Sequence, residues 1–192
     1  MKKLWKALLC AAALTLTLTG CGSASPKGTV DSFLKAVKSQ NQDKIKEYYD
    51  GELLTSDETE IDDSTEKGKA AEKALYDKML AFDYKITDEK TDGDTASVTV
   101  EFKDYPIGDT MADALSDYIG SAFSAALGGS SQEEITNQFY DTLIEKYNGL
   151  KEKSYTRTAT IKLTKKDGKW KIDDLDTDAL NGIFGGLYTF GA

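Results

Sequence analysis

The sequence predicts an α+β domain in which N-terminal helices pack in a curved antiparallel sheet and a helical hairpin is inserted. Three observations carry that expectation. Apolar residues recur at helical spacing between Pro26 and Phe82. They alternate with a period of two around Tyr84 to Phe102 and around Tyr155 to Ile172, each stretch folded back at an Asp-Gly pair. Two long helical patterns lie between those stretches, over 109–153. Helix signals followed by paired strands imply helices layered on an antiparallel sheet.

Ser25-Pro26 reads as an N-cap with proline at the first helical position. Val30, Phe33, Leu34 and Val37 follow on one helical face. Asn41 or Asp43 can cap a short second helix carrying Ile45, Tyr48 and Tyr49, which Gly51 stops. Glu52 to Lys69 is polar and acidic without an apolar period, and reads as a solvated loop. A third helix is expected over Lys69 to Phe82, with Ala71, Leu75, Met79 and Phe82 on its stripe. Tyr84 and Ile86, then Ala96, Val98, Val100 and Phe102, alternate on either side of Asp92-Gly93 and predict a strand hairpin.

Pro106 and Gly108 end that hairpin, and Asp109 is placed to cap a long helix running to Gly128-Gly129. Ser131 and Glu134 have the spacing of a capping box, opening another helix with Ile135, Phe139, Leu143, Tyr147 and Leu150 inward. The short glycine-serine turn makes the two an antiparallel pair. Tyr155, Arg157, Ala159, Ile161 and Leu163 then alternate, Asp167-Gly168 turns the chain, and Trp170 and Ile172 return it. The final apolar segment (Leu180, Ile183, Phe184, Leu187, Phe190) is expected to plug a pocket, dimerise or pad the sheet.

Ahead of the domain, Lys2, Lys3 and Lys6 precede an apolar run from Ala7 to Leu18, and small residues lead to Cys21. That is the layout of an export signal. A helix of about a dozen residues reaches about 18 Å, well short of the roughly 30 Å hydrocarbon core. Leu18-Thr19-Gly20-Cys21 resembles the lipobox of bacterial lipoproteins. The resemblance implies a diacylglycerol thioether on Cys21 and cleavage after Gly20; the competing readings are a Cys10–Cys21 disulfide or an unmodified thiol. Two acyl chains hold a protein at a bilayer where one only visits. The expected organisation is a signal peptide over 1–20, a tether over 21–25 spanning at most about 17 Å, and one domain over 26–192 with the helical insertion. The expected location is the extracytoplasmic face of the cell membrane.

The chain has net charge −9; loss of the leader removes three lysines and no acid, taking it to −12. Such a surface repels nucleic acid and anionic headgroups. With no histidine anywhere and no thiol after Cys21, imidazole and thiolate chemistry are not expected. Arg157 is the sole arginine, so bidentate clamps are scarce.

The stretches "TVDSFLKAVKSQNQDKIKEYYDG" and "DGKWKIDDL" resemble the cone-shaped α+β superfamily of nuclear transport factor and ketosteroid isomerase, in particular its small, uncharacterised bacterial lipoproteins. The resemblance spans Pro26 to Leu175, with the helical pair as a departure. It implies a sheet wrapped around helices and a pocket at the open end. It implies no activity, because one fold hosts many functions.

No metal or other cofactor is expected. Asp174-x-Asp176-x-Asp178 begins like a calcium loop, but Ala179 and Gly185 stand where that loop needs glycine and glutamate. Asp57, Glu58, Glu60, Asp62 and Asp63 read as a solvated acidic run. Tyr48, Tyr49, Tyr84, Tyr118 and Trp170 suit either a cavity lining or ordinary core, core being the expectation; Tyr49, Tyr84, Phe102 and Trp170 are the candidate pocket residues. The apolar face of the long helix could lie on a bilayer or receive a partner, but packing on its neighbour is the expectation, since Asp109, Asp113 and Asp117 do not suit a membrane surface. The functional expectation is a non-enzymatic accessory domain held to the membrane through Cys21, binding a small ligand, a peptide or an envelope protein. The alternatives are an isomerase or hydrolase using Asp/Tyr chemistry and a purely structural docking protein.

Overall fold

Ser25 accepts a 3.0 Å hydrogen bond from the Gly28 amide and so starts α1 (Pro26–Lys38), with Pro26 in its first turn. The structure, a computed structural model, describes residues 25–53 and 64–189. The leader, the lipidation candidate Cys21 and most of the acidic run before α3 lie outside the described residues.

In α1, Val30, Phe33, Leu34 and Val37 are buried. Asn41, not Asp43, caps α2 (Gln42–Tyr48) by accepting from the Lys44 amide. Tyr49 is extended rather than helical and forms a parallel bridge to Ile172. The third helix, α3 (Glu66–Met79), starts earlier than its apolar spacing suggests because Thr65 caps it through the Gly68 amide. Phe82 is thereby released to lead into the sheet.

β1 (Asp83–Asp92) and β2 (Thr95–Asp104) form the first hairpin, turned at Gly93 with φ +57°. A register shift between Ile86 and Asp88 ends the apolar alternation of β1. β3 (Tyr155–Lys166) and β4 (Lys169–Ile172) form the second, turned through left-handed Asp167 and Gly168. The four strands make one antiparallel sheet in the order β1-β2-β3-β4. Val98, Val100, Ala159, Ile161 and Leu163 bury one face, while threonine, serine and charge occupy the other. This is the expected α+β class, a four-stranded antiparallel sheet packed against helices.

Between β2 and β3 the chain makes α4 (Ile107–Leu127) and α5 (Gln132–Gly149). α4 begins two residues before the expected Asp109 cap. The capping box of α5 forms: the Glu134 amide donates to Ser131 Oγ (3.2 Å), and the Ser131 amide donates to Glu134 Oε2 (2.8 Å). α5 lies between α3 and α4, so α3 packs chiefly on the inserted hairpin and not on the sheet.

The described part of the C-terminal segment pads the sheet, one of the three expectations for it, while Phe190 lies outside the described residues. Asp176 caps α6 (Thr177–Ile183) through the Ala179 amide at 2.8 Å, and α6, with Ala179 and Ile183 buried, packs on β2 and β3, while Phe184 is buried just after it. A short 3-10 turn, Leu187–Thr189, follows. Gly108 donates to the Gly185 carbonyl (3.0 Å), tying the C-terminal segment to the root of α4. A Cβ at Gly182 would stand 2.4 Å from the Phe102 ring. Gly182→Ala is therefore expected to cost about 1–3 kcal/mol through overpacking, read as a lower midpoint in thermal or urea unfolding. An unchanged midpoint would show that α6 does not seat as described.

Candidate functional site

Because α3 leans on α5, a groove of about 910 Å³ opens between it and the α1–α2 corner. Its floor is apolar: Val37, Ile45, Leu53, Met79 and Phe184 are all buried. Gln40, whose φ of +53° reverses the chain after α1, contributes to the rim beside Gln42. Lys38, Lys69 and Lys73 stand around the rim with Glu72 and Asp77. Lys73 pairs with Asp77 at 2.5 Å, and Lys69 approaches Glu66 at 3.7 Å. Lys38 donates to the Phe82 carbonyl and lies 5.1 Å from the centre of the Phe82 ring. An apolar floor with a few placed polar groups is the ordinary make-up of a small-molecule or peptide site.

None of the four aromatic candidates lines this groove. Tyr49 is buried edge-on against Phe33, with ring centres 5.7 Å apart. Phe102 is buried 6.1 Å from Phe82, and Trp170 is buried with Lys165 5.7 Å from its ring centre. Tyr84 is half-buried and donates a 2.8 Å hydrogen bond to Asp31 Oδ1. Burial and then Asp31 push its hydroxyl pKa well up. Tyr84 and Phe102 do meet at a smaller cleft of about 430 Å³ beside Arg157. Arg157 itself pairs with Asp178, so the acidic triplet after β4 is used for a cap and an ion pair. Most groove residues belong to ordinary helix patterns, and Leu53, buried here, lies in the stretch expected to be a solvated loop; only the Asn41 cap signals the corner where the concavity begins.

The other chemically distinctive group is Asp104, at the end of β2 and fully buried. Its Oδ1 accepts from the Tyr105 amide at 2.7 Å, while Oδ2 has no hydrogen-bond partner among the described residues. Burial pushes the carboxyl up to about 8, although the Tyr105 amide, Lys153 and Lys38 pull the other way. The nearest cation stem is committed elsewhere, since Lys153 donates to Asp83 at 2.7 Å. Asp104 is in the wall of neither cleft. Among the described residues no group of three or more His, Cys, Asp or Glu could hold a metal ion, and no helix is long and apolar enough to cross a membrane.

The profile of a family described as a domain of unknown function (DUF4878) matches residues 19–110, just under half of the chain. The match ends in the first turn of α4, so it takes in α1 to β2 and stops short of most of the helical hairpin. Comparison with curated proteins finds no match. The chain is similar to a solved structure described as a candidate lipoprotein (ycdA) from Bacillus subtilis, at 17% identity and a TM-score of 0.43. That similarity covers 84% of this chain and 47% of the other, so the chain spans about half the length of the protein it resembles.

Asp104 makes a signed prediction. Its pKa is about 8 folded and about 3.9 unfolded, so between those values the unfolded chain loses a proton that the folded chain keeps. The contribution of Asp104 is full below pH 4 and is lost as pH rises toward 8, at up to about 1.4 kcal/mol per pH unit. Asp50 and Asp83, held below the usual carboxylate range by bonds from Lys171 and Lys153, act in the opposite sense and only on the acid side. Asp104→Asn should flatten the slope between pH 4 and 8, measured by urea midpoints across that range.

Proposed function

We propose that this chain is a lipid-anchored, extracytoplasmic accessory protein of the cell envelope. In this reading the leader is removed, Cys21 carries diacylglycerol, and the acidic body binds its ligand without turning it over. The ligand is an apolar small molecule or the apolar side of a peptide, taken into the groove between α1–α2 and α3. The observation that carries the binding reading is the groove, with buried Val37, Ile45, Leu53, Met79 and Phe184 presented to a space of about 910 Å³. Three lysines and two acids around it make a locally cationic rim on an anionic chain, which favours ligands with an anionic end. The succession of three helices and a strand hairpin supports kinship with the cone-shaped superfamily as part of this reading.

One observation favours an enzyme using Asp/Tyr chemistry instead. Asp104 is a buried carboxyl kept protonated at neutral pH, the state an acid catalyst needs. Its hydrogen-bond donor, however, is the Tyr105 backbone and not a tyrosine hydroxyl, and neither cleft reaches it. A structural role at the corner between β2 and α4 accounts for it more simply.

Two measurements test the proposal. Intact-mass analysis of protein from membranes should give a chain beginning at Cys21 with a diacylglyceryl adduct, and Cys21→Ser should keep its leader. An intact Met1 with an unmodified thiol would end the anchoring reading. For the groove, anilinonaphthalene sulfonate is the probe, titrated in an Ile119→Ser/Phe123→Ser/Leu127→Ser background that removes the exposed apolar residues of α4. Leu80→Glu, in the groove wall, should weaken binding about tenfold, equivalent to about 1.4 kcal/mol. Lys73→Glu, on an exposed rim position, should weaken the anionic dye by a smaller factor without loss of stability. Equal binding by all three proteins would rule the groove out.

A further inference from the structure

α4 does not bury its whole apolar face against α5. Ile119, Phe123 and Leu127 are 62%, 70% and 76% exposed. Their spacing of four residues puts them on one stripe. Tyr118, on the neighbouring face, is the residue that meets α5, with its ring centre 4.8 Å from that of Phe139. Together the exposed side chains present on the order of 400 Å² of apolar surface, the scale at which a patch marks an interaction site. Gly120, beside the stripe, has open space around it, so a second backbone can come close.

The charge around the stripe is one-sided. From Ile107 to Glu145 there are seven acids and no lysine or arginine. Asp117 and Asp141 are offset by Lys146 and Lys67 from outside that span. Asp109 and Asp113 precede the stripe on α4, and Glu133 follows it at the start of α5.

Position matters as much as charge. The Lys27 amide at the start of α1 donates to Glu89, far along β1, while Lys38 at the end of α1 reaches Phe82 just before β1. The start of α1 therefore lies toward the β1–β2 turn. α4 leaves from the opposite end, where Asp104 follows the pairing of Lys103 with Asp83. Six strand residues separate those ends, about 20 Å.

We propose that the Ile119–Phe123–Leu127 stripe is the docking surface for an apolar helix of another envelope protein, flanked by lysine or arginine. Charge complementarity selects that occupant. A second copy brings the same acids against these, and 400 Å² a side is about half of what a stable pair buries. An acidic hairpin is repelled by anionic headgroups, and the placing of its partner in the envelope rests on the reading of Cys21 as the anchor.

The test places p-benzoyl-phenylalanine at position 123 of the full chain in producing cells, with the same group at Glu101 as a background control. After irradiation, adducts are mapped by mass spectrometry. The expected adduct is to an apolar segment of a different protein with flanking lysine or arginine. Its yield should fall about fivefold when Asp109 and Asp113 are both changed to Asn, as two exposed charge pairs would give. Adducts to a second copy, to lipid, or to a segment without cations each overturn the proposal, as does a yield unaffected by the Asn pair or no adduct above the control. The mass of Cys21 in the same sample tells a failed anchor from a failed docking surface.

Discussion

The pairing of β2 with β3 is the constraint on which the rest of this molecule depends. The chain leaves the sheet after Asp104, builds two long helices, and returns at Tyr155 directly opposite the residue it left. Closing so long an excursion costs little more than closing a short one, because the entropy grows only with the logarithm of length. What holds it closed is the continuous apolar face of Val98, Val100, Ala159 and Ile161, all essentially buried. If that pairing slipped by one residue, the inward set of one strand, Val98 and Val100 or Ala159 and Ile161, would turn to solvent. The register therefore fixes where the helical hairpin stands.

Two consequences follow at the corner. The last inward position of β2 is Asp104, which the geometry of the exit buries, and that burial pushes its carboxyl pKa up. The C-terminal segment then closes the same corner from the other side. Gly108 donates to Gly185, and Gly185 itself, at φ +57°, comes close to Ile107 and the Tyr105 carbonyl. With the root held from both sides, α5 can recruit α3 away from the sheet, and that recruitment opens the groove. Sheet pairing, hairpin and groove are one chain of cause.

Much of the fold was legible because it was written in period and punctuation. Ser25-Pro26, the Ser131–Glu134 box, Asp92-Gly93 and Asp167-Gly168 mark their elements through local geometry that no distant contact overrides. Thr65 was overlooked because a capping threonine inside an acidic run carries no apolar residue to announce a helix. Tyr49 was assigned to a helix because its bridge to Ile172 joins positions far apart in sequence, which no local pattern encodes. The groove was illegible for a related reason. Val37, Ile45 and Met79 read as core on their own helices, and only the lean of α3 toward α5 decides that a space is left between them. Of the aromatic candidates, Tyr49 and Trp170 are core, as large rings at regular spacing mostly are, while Tyr84 and Phe102 line the smaller cleft beside Arg157.

The expectation that the apolar face of α4 would be covered by its neighbour was sound for one side of the helix. Tyr118 reaches Phe139, but α5 is itself shared, with Leu143 and Tyr147 buried on the side toward α3. A helix with two neighbours can cover only part of each. Three helices arranged as a layer, with α5 in the middle, leave the outer stripe of α4 without a third neighbour, whereas a closed bundle would have covered it. The sequence does not compensate by making that stripe polar. It keeps Ile119, Phe123 and Leu127 there and places the acids on flanking positions, which keeps an apolar tip soluble while denying it to like-charged surfaces. A packing shortfall alone would account for one exposed side chain; three in register, within a span lacking any cation, have the composition of a surface built to be met from outside.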